Sequence, residues 1–149
     1  MISNDIYIAN RRLPAFEIYN YFVKYRDVFY SDIFSRVNVE HFSQKLYKNA
    51  EQFWLYCDHQ IKGFAGVYMN NHKYGFISTI SISKECQGKG LGNLFLKVIE
   101  EKATYNGLKE IRLEVDARNI RAISFYKKNG YVVYEKYPKS WMMKKILSD

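Results

Sequence analysis

The chain has 149 residues, enough for one domain with a sizeable core and too few for two of ordinary size. Hydrophobic residues make up 48%, which excludes a disordered chain, and no apolar run reaches membrane-spanning length. The net charge of +8 asks for an anionic partner, yet Lys and Arg are scattered, with no basic run longer than two and no nucleic-acid recognition motif.

In chain order, residues 6–8 read as a short first strand. Pro14 suits the first turn of a helix reaching about residue 26, with Phe16, Tyr19, Phe22 and Val23 on one face. Asn38 is placed to cap a second helix through Ala50 that buries Phe42 and Leu46. Residues 53–57 form a strand, 58–60 a turn and 64–69 the next strand, and Asn70-Asn71-His72 closes the hairpin into a β-branched strand over 76–82. Between these elements lie no internal repeats, low-complexity segments or linkers.

The stretch Gln87-Gly88-Lys89-Gly90-Leu91-Gly92 then opens a helix on which Leu91, Leu94, Phe95, Val98 and Ile99 recur at helical spacing. Glycines let the backbone turn tightly and approach a ligand, first-turn N–H groups lack intrahelical acceptors, and Lys89 adds a cation, so the loop suits a diphosphate. The dinucleotide fingerprint fails because residue 93 is Asn, and a P-loop fails because Lys89 is followed by Gly90. The other reading of the loop is a glycine-rich turn before an ordinary helix. Asn106-Gly107 stops that helix. Residues 111–116 form a strand with Ile111, Leu113 and Val115 on one side and Arg112, Glu114 and Asp116 on the other. Asn119 caps a helix to residue 129, Gly130 ends it, and 131–135 and 141–146 make a closing pair of strands.

Two of these stretches carry a family likeness. Gln87 to Gly92 resembles the Gln/Arg-x-x-Gly-x-Gly/Ala loop that holds the coenzyme A pyrophosphate in the GNAT acetyltransferase superfamily. Leu113-Glu114-Val115-Asp116-Ala117-Arg118-Asn119, followed by Ala122, Phe125-Tyr126 and Gly130-Tyr131, resembles that superfamily's second signature. The likeness covers roughly residues 53–146, and is nearest to the branch with a Glu on the strand after the loop's helix. It implies an α/β (α+β) fold: one domain over 1–149, with a mixed, mostly antiparallel twisted sheet of about six or seven strands and helices on both faces. Within it, 53–146 would be the acetyl-CoA core and 1–52 the acceptor-side helices.

The same resemblance implies acetyl-CoA as cosubstrate and an amine as acceptor. The pantetheine arm would pair with the strand at Ile80 and Ile82, a backbone N–H there would meet the oxyanion, and this strand would splay from the next one to admit the thioester. Gln87, Gly88, Lys89, Gly90, Leu91 and Gly92 would hold the diphosphate. Asn119 would contact the pantetheine arm, although capping alone also accounts for it. Tyr126 matches the family's general acid, and a phenol pKa near 10 keeps it protonated at neutral pH. Its alternative is a packed tyrosine, because residues 122, 125, 126 and 129 share a helix face. Glu114 matches a base of some members, and its alternative is a surface ion pair. Ser78 and Ser81 could only orient water. Lys127 and Lys128 either reach the adenosine phosphates or form a solvated face.

Acceptor choice falls to the first fifty residues, where Tyr19, Tyr21, Tyr25, Phe29, Tyr30 and Phe34 surround Asp27 and Asp32. No metal is expected, since His41, His59 and His72 lack ligand spacing. Cys57 and Cys86 cannot form a disulfide framework, which points to a reducing cytoplasm, with a single bridge between them left open. No secretory or lipidation signature is present, and no membrane partner is expected. A closing strand shared near Trp141 would make a homodimer. The leading function is acetyl-CoA-dependent N-acetyl transfer to a small-molecule, peptide or protein-terminal amine. A non-catalytic acyl-CoA-binding or regulatory module, a nucleic-acid binder and an acetyltransferase acting on charged tRNA stand as alternatives.

Overall fold

The computed structural model describes residues 5–147, so both ends of the domain expected over 1–149 lie outside the described residues. Among the described residues seven strands form: β1 (Ile6–Asn10), β2 (Glu51–Cys57), β3 (Gln60–Tyr68), β4 (Tyr74–Ile82), β5 (Glu110–Asp116), β6 (Val132–Lys136) and β7 (Ser140–Ile146). The helices are α1 (Ala15–Lys24), α2 (Ile33–Arg36), α3 (Val39–Asn49), α4 (Leu91–Tyr105) and α5 (Ile120–Lys128), with 3-10 turns at Arg26–Val28 and Lys84–Cys86. The strands lie in one sheet in the order β1-β2-β3-β4-β5-β7-β6. Every neighbouring pair is antiparallel except β4 with β5, which run parallel and are joined through α4. This is the mixed, mostly antiparallel sheet expected.

β2 shows why the sheet is covered on both faces. Its residues alternate sides, so Phe53 and Leu55 join the core with Phe95, Leu96 and Ile99 of α4 and Ile123 of α5. Trp54 and Tyr56 join the opposite core with Ile18 and Phe22 of α1 and Leu46 of α3. A strand buried on both faces reads as a continuous apolar run, as residues 53–57 do. The turn from β2 to β3 is set by Asp58 and His59, both at positive φ (52° and 67°), the hairpin geometry that suits twisted strands.

Two expectations need correction. The buried face of α1 consists of Ile18, Tyr21 and Phe22, while Phe16 is 63% exposed and Val23 49% exposed. Tyrosines win that face because their hydroxyls find partners: Tyr21 reaches the Ser81 hydroxyl at 2.8 Å, and Tyr25, just after the helix, donates to the Ile61 carbonyl at 2.9 Å. The helix expected to reach about residue 26 stops at Lys24, and the short α2 follows unannounced by periodicity. β7 lies between β5 and β6 in the sheet. Asn38 caps α3 as expected, its side chain accepting from the His41 N–H.

Candidate functional site

β4 and β5 pair only over residues 74–77 and 110–113, and beyond that the two parallel strands part. A bulge helps to turn β4 away. Val67 faces Ile77 and Gly66 faces Thr79, so Ser78 is an extra residue with no partner opposite in β3. The parting opens a cleft of about 520 Å³ between the two strands, the start of α5 and the segment joining α1 to α2. Thr79 and Ile80 of β4, Glu114 and Asp116 of β5, Asn119, Ala122 and Tyr126 line it, with Phe29, Tyr30 and Arg36 from the N-terminal side.

Four of the candidate residues therefore share one cavity: Ile80, Glu114, Asn119 and Tyr126. Glu114 is exposed on β5, and its Oε2 accepts from the Ser140 hydroxyl at 2.5 Å. It has no ion pair among the described residues, so the surface salt bridge does not form. Tyr126 is buried, packs edge-on against Tyr131, and its hydroxyl makes no hydrogen bond among the described residues. Burial raises its pKa above the ordinary phenol value, so it stays protonated across the neutral range. Asn119 caps α5, its Oδ1 accepting from the Ala122 N–H at 3.2 Å, while its amide nitrogen keeps its donors. Ser81 is tied to Tyr21, which leaves Ser78 as the β4 serine on the cleft wall.

The glycine-rich loop lies outside this lining and sits at the start of α4. Gly88 and Gly90 have φ of 77° and 76°, a left-handed conformation in which a Cβ would strain the backbone although no atom lies within 4 Å of where it would stand. No side chain caps α4, whereas Asp32, Asn38 and Asn119 cap α2, α3 and α5. Uncapped first-turn N–H groups beside open space and an exposed Lys89 fit a phosphate group. The loop's other members have different surroundings. Gln87 donates to the Ile82 carbonyl at 2.9 Å, fastening the loop to the end of β4. Leu91 packs into the core, so only its backbone faces outward. A Cβ on Gly92 would stand 2.9 Å from the Phe125 ring, so this glycine serves the contact between α4 and α5. Ile82 packs against the core and does not line the cleft.

Lys127 and Lys128, with Ile120, Ile123 and Ser124, line a shallower depression of about 420 Å³ on α5. Of the aromatic residues expected to choose an acceptor, Phe29 and Tyr30 reach the cleft, but Tyr21 and Tyr25 are core residues. Neither expected carboxylate is available there: Asp32 binds Arg26 at 2.6 Å and Asp27 pairs with Lys84 at 3.4 Å. Arg36, Thr79 and Ser140 were not among the site candidates, because only the tertiary register brings them to the cleft. Cys57 and Cys86 are free thiols with sulfurs 3.6 Å apart. Burial and the neighbouring Cys86 push the Cys57 thiol up to about 11. Among the described residues no helix is long and apolar enough to cross a membrane.

Known proteins agree with this geometry. The profile of the acetyltransferase (GNAT) family matches residues 16–131. The uncharacterized protein YdhI of Bacillus subtilis is 32% identical over 91 residues, covering 55% of this chain and 56% of YdhI. The chain thus spans about half the length of that relative, and less of several others. Among solved structures, the ribosomal-protein-S18-alanine N-acetyltransferase of Escherichia coli superposes with a TM-score of 0.80 at 18% identity, covering 97% of this chain and 95% of that one. A GNAT family acetyltransferase from Elizabethkingia anophelis with acetyl-CoA bound gives 0.73 at 14% identity, covering 97% and 100%. At these identities the likeness is one of fold. The family profile, which covers most of the sequence, decides membership: the chain belongs to the acetyltransferase (GNAT) family.

Proposed function

We propose that the protein moves an acetyl group from acetyl-CoA to a primary amine by direct attack, with both substrates bound at once. The observation that supports this reading best is the parted β4–β5 pair, which gathers Glu114, Tyr126 and an unpaired edge of β4 around one cleft. In this reading the backbone near Ile80 and Ile82 holds the pantetheine arm, and an N–H of that edge faces the oxyanion. Gly88, Lys89, Gly90 and the first turn of α4, from Leu91 and Gly92, cradle the diphosphate. Gln87 acts by fastening that loop, and the amide of Asn119 reaches the arm.

The chemistry then needs three proton movements: one off the ammonium, one off the nitrogen once it has bonded to carbon, and one onto sulfur. An alkyl ammonium has a pKa of about 10, so Glu114 must draw its proton off, directly or through water, before the nitrogen can attack. As the C–N bond forms and the C–S bond breaks, negative charge passes to sulfur. The Tyr126 hydroxyl is the donor on hand. Its burial makes full transfer to a thiolate uphill, because a thiol pKa is about 8.5. Tyr126 therefore stabilises the sulfur first as a hydrogen-bond donor, and the second proton shed by the nitrogen balances the one that sulfur takes up as the product leaves.

Coenzyme A release over a broad amine panel tests the reading. Amine-dependent release is expected, and Tyr126→Phe and Glu114→Gln should each lower kcat by about 100-fold while still binding coenzyme A. Binding without turnover across the panel would replace this reading with a non-catalytic acyl-CoA-binding module. An unchanged rate in Tyr126→Phe would remove that residue from the mechanism and leave the reaction class standing.

A further inference from the structure

Three charged side chains line the cleft among the described residues: Arg36 at the end of α2, and Glu114 and Asp116 on β5. Asp116 is already bound, accepting from the Arg118 backbone N–H at 2.8 Å, from its Nε at 3.1 Å and from its Nη2 at 3.0 Å. That grip holds the Asp116 carboxyl down at about 2. Glu114 receives a hydroxyl from Ser140 and no cation. Arg36 makes no hydrogen bond and no ion pair among the described residues. Its charge is felt by Asp32 and Asp116, and each of these is already bonded to another guanidinium, Arg26 and Arg118.

The cleft thus holds one anion and one cation that the protein leaves without an ionic partner. Phe29 and Tyr30 add an aromatic wall on the Arg36 side, and Arg118 lies 5.9 Å from the centroid of the Tyr30 ring, so the two sides of the mouth meet there. A guanidinium presents donors in a fork matched to a carboxylate. A polyamine would carry a second cation toward a guanidinium that no described side chain bonds, and a simple amine would leave that guanidinium unbonded. We infer that the acceptor is a small amine that also carries a carboxylate, an amino acid in chemical class, with the carboxylate held by Arg36 and the amino group presented to Glu114. This inference rests on the acetyl-transfer reading.

Matched pairs that differ by the carboxylate test it: tyrosine against tyramine, and lysine against cadaverine. Coenzyme A release should favour the carboxylated member of a pair by at least about 10-fold in kcat/KM, the effect of a charge-assisted contact. Arg36→Gln should bring the pair together by raising KM for the carboxylated member with little change in its kcat, and Arg36→Lys should keep part of the preference. Equal use of both members by the unaltered protein would overturn the inference. So would Arg36→Gln losses of the same size on both members, which a merely structural arginine would give. Should no amine turn over, acetyl transfer itself fails, and calorimetry of the coenzyme A-loaded protein with tyrosine and tyramine decides instead. Tighter tyrosine binding that Arg36→Gln abolishes would support the anion subsite, and equal or absent binding would overturn it.

Discussion

α4 and α5 begin differently, and Asn119 at the start of α5 lines the cleft. α5 starts at Asn119, whose side chain accepts the Ala122 N–H, so the chain supplies its own cap. α4 starts at Gly90, left-handed at φ 76° and with no side-chain acceptor for its first turn. A helix end that the chain caps is complete in itself, while one left open at a glycine has donors to offer an anion. Gly90→Glu tests this difference hardest. A side chain there costs about 1–2 kcal/mol in the left-handed region, and its carboxylate opposes the phosphates. Coenzyme A affinity measured by calorimetry should fall by about 100-fold or more. The chain should stay folded, because a Cβ at Gly90 meets nothing within 4 Å. Retained affinity would mean that the open helix end is not the diphosphate site.

Gly92 sharpens the same contrast from inside the loop. It shares the spacing of Gly88 and Gly90 but faces Phe125 rather than open space. Gly92→Val should therefore destabilise the fold by about 2 kcal/mol through overpacking, as read from chemical denaturation. Gly92→Ala should be close to neutral, because the gain of about 1 kcal/mol in helix propensity offsets the cost of moving the ring. Coenzyme A affinity in the folded Gly92→Ala protein should stay within about threefold of the original. A larger loss of affinity with unaltered stability would mean that the cradle needs Gly92 to lack a side chain as well as to offer its backbone.

These cases show what a single sequence carries and what it does not. The stretch from α4 to α5 was readable because its signals are local. A glycine stop at residue 107, the Asn119 cap and the alternation around Glu114 each depend on a few neighbouring residues, and each recurs in the fold. Gly92 was read with its fellow glycines because spacing says nothing about a phenyl ring on another helix. The N-terminal helices were hard for a related reason. α1 is apolar on more than one face, and the outcome turned on hydroxyl partners at Ser81 and Ile61 that are remote in sequence. Ser140 reaches Glu114 only through the β5–β7 register, where it stands opposite Asp116. Arg36 ends a helix of four residues, too short for a periodic signal.

The capped helix offers the finer test, since the two ends of the Asn119 amide have separate duties in the proposed site. Its Oδ1 holds the Ala122 N–H, and its Nδ2 has donors to spare at the cleft. Asn119→Ala removes both and should cost about 1 kcal/mol of stability, the usual worth of an N-cap. Asn119→Asp keeps the acceptor and removes the donor. Aspartate caps a helix about as well as asparagine, so thermal unfolding should be nearly unchanged. Coenzyme A affinity should nonetheless fall by about 10-fold, because a carboxylate now faces the amide-rich pantetheine arm where a donor stood. If Asn119→Asp binds coenzyme A as tightly as the original, Asn119 is a cap alone. α5 would then contribute to the site through Ala122 and Tyr126, and α4 would be the helix whose first turn depends on the ligand.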